Sequence, residues 1–312
     1  MSSWTAAAIP DLRGRTAVVT GANSGLGFST ALELARHGAD VTLACRDAAK
    51  GAAALGRLRT ELPMAHARVA ALDVANLASV QSFAAAWTRD HDGLDILVNN
   101  AGVMATPFRR TVDGFEQQFG TNHLGHFVLV NRIASLFKPG ARLVCLSSAG
   151  HRFSDVSLDD PNFERTEYAP FVAYGRSKTA NILFAVEFDR RHKGKGVRAA
   201  AVHPGGIQTE LGRYMTPEII QQLMDNIAAT QAAAGAPQFE WKTIPQGAAT
   251  SVWAGVVAAA DAVGGRYCED CHVAHIVDSD AEVREGVRGY ALDPDHAKAL
   301  WAKSEDLVGE TY

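Results

Sequence analysis

The chain has 312 residues, 47% of them apolar and 21% charged, which excludes global disorder and bounds it to one large domain or two ordinary ones. Thirty Lys and Arg against 34 Asp and Glu leave a formal charge of −4 with no long basic run, so nucleic acid is not an expected partner. Four cysteines are too few for a disulfide scaffold. No apolar run reaches the roughly 20 residues of a membrane span, and residues 1–10 lack the charged start and apolar core of a signal peptide. The expectation is a cytoplasmic protein with no membrane partner.

In chain order, Thr16–Thr20 is short, β-branched and apolar, and predicts a buried strand. Residues 25–37 predict a helix stopped by Gly38, 40–44 a second strand, and 48–61 an Ala-rich helix. A third strand over 68–72, a third helix over 79–90 and a fourth strand over 95–99 follow; 111–137 contain a long helix and 142–147 a fifth strand. Beyond residue 150, 173–192 predict one long helix, 197–202 a sixth strand and 266–268 a seventh. Between those two strands, 206–245 hold helical pieces, with an Ala-rich stretch at 229–237. Strands that alternate with helices imply parallel pairing and right-handed crossovers. Strands apolar on both faces imply helices on both sides of the sheet. The fold class is therefore α/β, a doubly wound parallel sheet of about seven strands, as one domain over 1–312 with a local insertion.

Gly21-Ala22-Asn23-Ser24-Gly25-Leu26-Gly27 follows the first strand and opens the first helix. Glycine lets a backbone approach a ligand closely, and a helix N-terminus offers free N–H groups to a pyrophosphate. The spacing, G-x-x-x-G-x-G, differs from the general dinucleotide fingerprint; the alternative is a glycine-rich turn without ligand. At the end of the second strand an acidic residue would bind the ribose of NAD, whereas an Arg would accommodate the 2′-phosphate of NADP. Here Cys45-Arg46-Asp47 stands there. Arg46 either binds that phosphate or remains solvated beside Asp47. The cofactor read from these residues is NADP(H), with NAD(H) open.

Tyr174 and Lys178 lie four apart near the start of a helix, and so share one face. An ammonium beside a phenol lowers its pKa from about 10 toward the range useful for proton transfer. Ser147-Ser148 ends the fifth strand, and the ends of parallel strands are where open α/β sheets bind ligands.

Thr20-Gly21, Gly25, Gly27, Asn99-Asn100-Ala101-Gly102, Ser148, Tyr174, Lys178 and Pro204-Gly205 occur in this order. The set resembles the short-chain dehydrogenase/reductase family over about residues 14–210. Ala44-Cys45-Arg46, the run Thr121 to Phe127 and Asn181 to Phe184 further resemble its retinol-dehydrogenase-like branch, with plant protochlorophyllide reductases nearby. The resemblance implies a Rossmann-like fold, with 14–150 as the dinucleotide-binding half, 151–275 as the catalytic and substrate-binding half and 276–312 as a C-terminal extension. That extension covers an interface or makes one, so a homo-oligomer stays open.

The resemblance also implies roles. Tyr174 is the general acid toward a carbonyl oxygen, or the base toward an alcohol; Ser148 hydrogen-bonds the same oxygen, with Ser147 an adjacent competitor. Lys178 binds the nicotinamide ribose and lowers the Tyr174 pKa, and Asn122 holds a water in a proton relay. Gly21, Asn23, Ser24, Gly25, Leu26 and Gly27 hold the pyrophosphate, and Arg46 the 2′-phosphate. Asp73 and Val74 meet the adenine, and Asn100, Ala101 and Gly102 line the adenosine side. Pro204, Gly205, Ile207 and Thr209 meet the nicotinamide.

His151 to Ala173 is longer than in the simplest members and carries Phe153, Phe163, Tyr168 and Phe171. It reads as one wall of an apolar cleft, or as aromatics that pack the insertion onto the core. Ile219, Ile220, Leu223 and Met224 recur at helical spacing and predict an amphipathic lid, or a helix against a partner subunit. Cys268-Glu269-Asp270-Cys271-His272, with His275, has the spacing of a redox pair, a half zinc site or a haem attachment. It also reads as the last strand and its turn, and no metal is expected. Cys45 and Cys145 are expected to be buried and inert. The reading is an NADP(H)-dependent oxidoreductase that interconverts a hydrophobic ketone or aldehyde and its alcohol. The alternatives are a catalytically idle nucleotide-binding regulator and a reductase of a conjugated carbon–carbon double bond.

Overall fold

A computed structural model describes residues 6–221, 224–225, 240–277 and 285–312. Seven strands run parallel: β1 (Thr16–Thr20), β2 (Asp40–Cys45), β3 (Ala67–Ala71), β4 (Leu94–Asn99), β5 (Phe137–Leu146), β6 (Arg198–His203) and β7 (Arg266–Glu269). The order across the sheet is β3-β2-β1-β4-β5-β6-β7-β8, and β8 (His272–Val273) pairs antiparallel with β7. The sheet has eight strands rather than about seven. The eighth follows a tight turn in which Asp270 and Cys271 take φ of 46° and 57°, a reversal that composition does not announce. The direction of strand progression switches between β1 and β4, which opens a crevice at their C-terminal ends.

Each strand serves two cores. Val18, Leu97 and Leu143 point to one face, with Phe127, Leu129, Ile182 and Phe188. Val19, Val98 and Val144 point to the other, with Leu34, Leu43, Leu58 and Val252. Alternate side chains of a strand leave on opposite faces, so a strand buried on both sides reads as a continuous apolar run.

The helices begin where side chains supply the missing hydrogen bonds. In α2 (Ala48–Glu61) the Asp47 carboxylate accepts from Lys50 N, and in α3 (Leu77–Asp90) Asn76 accepts from Ser79 N; α1 (Gly25–Arg36) has no such cap. The long helix expected within 111–137 is instead a composite. Glu116 caps a single turn at Gln117–Phe119, Gly120–Leu124 is π-helical, and α4 (Gly125–Arg132) continues it. A 3-10 turn at Ala134–Leu136 then leads into β5, which starts five residues before its expected position. Next, α5 (Pro170–His192) starts three residues early because proline at the first helical turn needs no N–H partner. A capping box of Thr243 and Gln246 opens α6 (Ile244–Val252). Asp293 caps α7 (Pro294–Val308), which lays buried Ala297, Leu300 and Trp301 over α4 and α5. The Trp301 ring meets those of Phe127 at 5.1 Å and Phe184 at 5.8 Å. Among the described residues no helix is long and apolar enough to cross a membrane.

Candidate active site

The crevice between β1 and β4 is bounded by the glycine loop. Gly21 and Gly25 take φ of 65° and 53°, and a Cβ on Gly27 would collide with Asn100 Nδ2 and the Gly21 carbonyl. Asn100 Nδ2 donates to the Thr20 carbonyl at 2.8 Å, while Thr20 Oγ1 accepts from Asn100 N at 2.9 Å and Ala101 N at 3.0 Å. These bonds tie the end of β4 to the end of β1. Ser24 precedes α1 without a capping bond, which leaves the first-turn N–H groups to an external acceptor. A cleft of about 390 Å³ is lined by Ser24, Gly25, Thr209 and Ile244 among others. A second, of about 320 Å³, is lined by Asn23, Ser24, Lys50, Ala53, Arg57 and Glu210. Arg46 is exposed at the end of β2; Asp47, its neighbour, spends its carboxylate on the α2 cap. Two further cations that sequence reading passed over stand at the second cleft: Lys50, and Arg57, which donates to the Asn23 carbonyl at 2.8 Å.

At the end of β5 the two serines separate. Ser147 is buried and donates to the Lys178 carbonyl at 2.8 Å, whereas the Ser148 hydroxyl accepts from Gly150 N at 3.0 Å and lies beside the Tyr174 hydroxyl. Tyr174, Ser177, Lys178 and Asn181 are all buried on α5. Lys178 Nζ donates to the Leu146 carbonyl at 3.0 Å, an acceptor it shares with Asn181 Nδ2.

The phenol departs from expectation. Burial pushes the Tyr174 hydroxyl up to about 12, opposed only in part by the neighbouring Ser148 hydroxyl. Burial pulls Lys178 down to about 8. An i,i+4 spacing puts both groups on one face, but in this structure the loss of solvent sets both shifts.

Asn122 lies in the π-helical turn. Its Oδ1 accepts from Val103 N at 2.8 Å, and its Nδ2 donates to the Val103 carbonyl and Ser177 Oγ, both at 2.9 Å. Its own carbonyl accepts from His126 Nδ1 at 3.1 Å, and His126 Nε2 meets Thr20 Oγ1 at 2.9 Å. The carbonyl requires the proton on Nδ1, so Nε2 accepts from the Thr20 hydroxyl. The chain Asn122–His126–Thr20 thus joins the π turn to the glycine loop. His203 Nδ1 likewise accepts from Ala149 N at 3.2 Å and Gly205 N at 3.4 Å, joining the ends of β5 and β6. Sequence reading missed both histidines because each bonds to backbone or across many residues. The only signal was a His beside each recognised motif.

The Asp73 carboxylate accepts from Ala75 N at 3.0 Å, beside buried Val74. Ile207 bridges to Lys242, and the Thr209 methyl stands over Gly25, so Pro204 to Thr209 closes the crevice opposite the glycine loop. The four aromatics of the 151–173 insertion divide. Phe163 is buried under the Arg176 guanidinium, and the Tyr168 hydroxyl donates to the Thr106 carbonyl at 2.8 Å, so these two pack the insertion down. Phe153 is 49% exposed and meets Phe171 at 5.6 Å. A Cβ on Gly150 would touch both the Tyr174 and Phe153 rings, which places that aromatic pair beside the phenol. On the expected lid, Ile220 is exposed and Ile219 and Met224 half-buried; Leu223, the whole Ala-rich stretch and residues 1–5 lie outside the described residues.

Cys45, Cys145 and Cys268 are buried thiols pushed up to about 11, 12 and 12 by desolvation. The half-buried Cys271 lies against Thr250. Among the described residues no three His, Cys, Asp or Glu side chains are grouped to hold a metal.

A sequence profile described as short chain dehydrogenase matches residues 15–219. Retinol dehydrogenase 14 from Homo sapiens is 38% identical over 313 residues, covering 96% of this chain and 87% of that protein. Retinol dehydrogenase 13 from Homo sapiens is 47% identical over 203 residues, covering 64% of this chain and 61% of that protein. The crystal structure of an uncharacterized protein from Mycobacterium paratuberculosis is 36% identical, with a TM-score of 0.75 over 99% of this chain and 98% of that one. A short chain dehydrogenase from Burkholderia cenocepacia, solved in complex with NADP, is 23% identical and shares the fold, with a TM-score of 0.64 over 83% of this chain and 97% of that one.

Proposed function

The chain belongs to the short-chain dehydrogenase/reductase family, in its retinol-dehydrogenase-like branch, and from that premise we propose that it interconverts a hydrophobic ketone or aldehyde and its alcohol with NADP(H). Membership makes it an oxidoreductase acting on CH–OH groups, with a nicotinamide cofactor and a small-molecule substrate. The observation that carries the finer reading is the convergence of the Ser148 hydroxyl and the Tyr174 phenol, with Lys178 one helical turn on, at the crevice end of the sheet.

The crevice fits a dinucleotide. The uncapped start of α1 and the two positive-φ glycines form a cradle of N–H donors suited to a pyrophosphate. Arg46, with Lys50 and Arg57 at the adjoining cleft, suits a 2′-phosphate. The bound nicotinamide supplies the hydride. In reduction, Tyr174 Oη gives its proton to the carbonyl oxygen and Ser148 Oγ holds that oxygen by a hydrogen bond; in oxidation the proton moves the other way. The Lys178 ammonium has three donors, of which one is engaged at Leu146, so two remain for ribose hydroxyls. The Asn122 side chain is committed to Val103 and Ser177, so a relay water at Asn122 would have to meet its backbone carbonyl. The exposed Phe153 beside Tyr174 favours an apolar substrate. We assign 14–150 to cofactor binding, 151–275 to catalysis and substrate, and 276–312 to a supporting extension.

The test is NADPH oxidation against a panel of apolar ketones and aldehydes, with the product identified. Tyr174→Phe is expected to lower kcat by about 10³-fold or more while NADPH still binds. Turnover that survives this substitution rules out the assigned proton donor. A product saturated at carbon with its carbonyl intact supports double-bond reduction instead.

A further inference from the structure

Behind the Ser148 turn lies a set of hydrogen bonds that the proposed chemistry does not use. His151 is fully buried, and its Nδ1–H donates to the Ser148 carbonyl at 2.8 Å. Its Nε2 accepts Arg288 N–H at 3.2 Å, and its own carbonyl accepts the Tyr290 hydroxyl at 2.7 Å. A carbonyl only accepts and a backbone N–H only donates, so the ring is neutral with its proton on Nδ1. Two groups of the C-terminal extension thus grip one residue three positions after Ser148. The same stretch is anchored nearby. Arg152 donates to the Gly286 carbonyl at 2.6 Å, and Gly286 N donates to the Glu269 carboxylate at 2.5 Å. The extension then runs into α7, which packs on α5, the helix that carries Tyr174 and Lys178.

We propose that His151, held by Arg288 and Tyr290, is a positioning residue that transmits the order of the C-terminal extension to the Ser148 turn and so sets Ser148 Oγ against Tyr174 Oη. The proposal rests on the oxidoreductase reading above. The physical need is plain. Ser148 has left the β5 ladder, and its carbonyl is held by His151 through both backbone N, at 3.1 Å, and Nδ1. A hydrogen-bond donor aimed at a reacting oxygen is effective only when its support is rigid.

The test uses two full-length variants. Tyr290→Phe keeps the ring and deletes one donor. His151→Asn keeps an N–H near the Nδ1 position and deletes the acceptor for Arg288 N. In both, hydrogen exchange of the 147–154 segment is expected to quicken about ten-fold while β1 is unchanged. The kcat for carbonyl reduction should fall about 5- to 20-fold with the NADPH Kd within about two-fold of wild type. Unchanged exchange in 147–154, or faster exchange at wild-type kcat, overturns the proposal. If His151→Asn does not fold, Tyr290→Phe decides alone. A wild-type chain inactive on every carbonyl and alcohol overturns the oxidoreductase reading instead, and the exchange data still decide whether the extension orders the turn.

Discussion

Lys178 Nζ lies 5.6 Å from the centroid of the Tyr174 ring and donates to the Leu146 carbonyl at 3.0 Å. The amine thus stands on the phenol's side of the helix, and the neighbour that acts on the hydroxyl itself is Ser148. Burial moves the two groups in opposite directions, the phenol up to about 12 and the ammonium down to about 8. Both shifts favour the neutral form, as desolvation must.

A pH dependence follows. Tyr174 keeps its proton through the whole working range, so it is not the group that limits reduction at mildly alkaline pH. The Lys178 ammonium is complete well below pH 8 and is lost above it. The reductive kcat/KM is expected to fall about ten-fold per unit above roughly pH 8. Arginine is not deprotonated in proteins, so Lys178→Arg, at whatever reduced rate, should lose that alkaline limb. A pH–rate profile of both chains checks this; a limb that stays near pH 8 in the arginine variant assigns it to another group.

The two serines allow a paired comparison. Ser148→Ala removes the hydroxyl beside the Tyr174 phenol and is expected to lower kcat about 100-fold. Ser147→Ala removes a buried bond to the Lys178 carbonyl, and should cost about 1 kcal/mol of stability with kcat within about three-fold. Steady-state kinetics and urea melts on both variants separate the roles. Equal losses of kcat would mean that Ser147 also serves the reacting oxygen.

The proposed preference for NADP(H) rests on Arg46. It is exposed at the end of β2, and the neighbouring Asp47 carboxylate is already engaged with Lys50 N. Arg46→Asp removes a cation from the proposed phosphate site and adds an anion, and is expected to weaken NADPH by about 10- to 100-fold. NADH should change by less than about three-fold, because it presents no 2′-phosphate. Fluorescence titration with each nucleotide measures the ratio, and an unmoved ratio places the 2′-phosphate at Lys50 or Arg57.

Much of this site was legible in the chain because its signals are local. Glycines between a strand and a helix, a Tyr and a Lys at helical spacing, and a Ser at a strand end each declare a position on a known element. The π turn at Gly120–Leu124 was not legible, since one extra residue in a helical turn leaves the apolar pattern almost unchanged. Nor was the choice between Ser147 and Ser148, which depends on which face of the β5 end meets α5. The phenol pKa was read with the wrong sign because spacing reports proximity and says nothing about lost solvent. His126, His151 and His203 bind partners that are backbone or far away in sequence, so no motif encodes them.

The buried histidines also predict how the fold responds to acid. His123, His126 and His151 are almost fully buried, and desolvation lowers them from 6.5 to about 3, 4 and 4. Between those values and 6.5 the unfolded chain binds protons that the folded chain refuses. Stability is therefore unaffected above about pH 7 and is lost as pH falls through that window, by up to about 1.4 kcal/mol per histidine per unit. Glu116 and Glu269, raised by burial, act in the opposite sense, but only where carboxyls begin to protonate. A Tm roughly 5–10 °C lower at pH 5.5 than at pH 7.5 is expected. His123 isolates one contribution. Its Nε2 meets Ser304 Oγ at 2.8 Å; that hydroxyl donates onward to the Leu300 carbonyl, so Nε2 carries the proton, and Nδ1 is buried with no partner among the described residues. Phe119, Phe127 and Phe184 surround the ring at 5.1 to 6.0 Å. His123→Phe should therefore leave stability at pH 7.5 within about 1 kcal/mol of wild type and exceed it by about that amount at pH 5.5. Chemical melts at the two pH values decide it: parallel losses in both chains would show that His123 takes no part in the acid response.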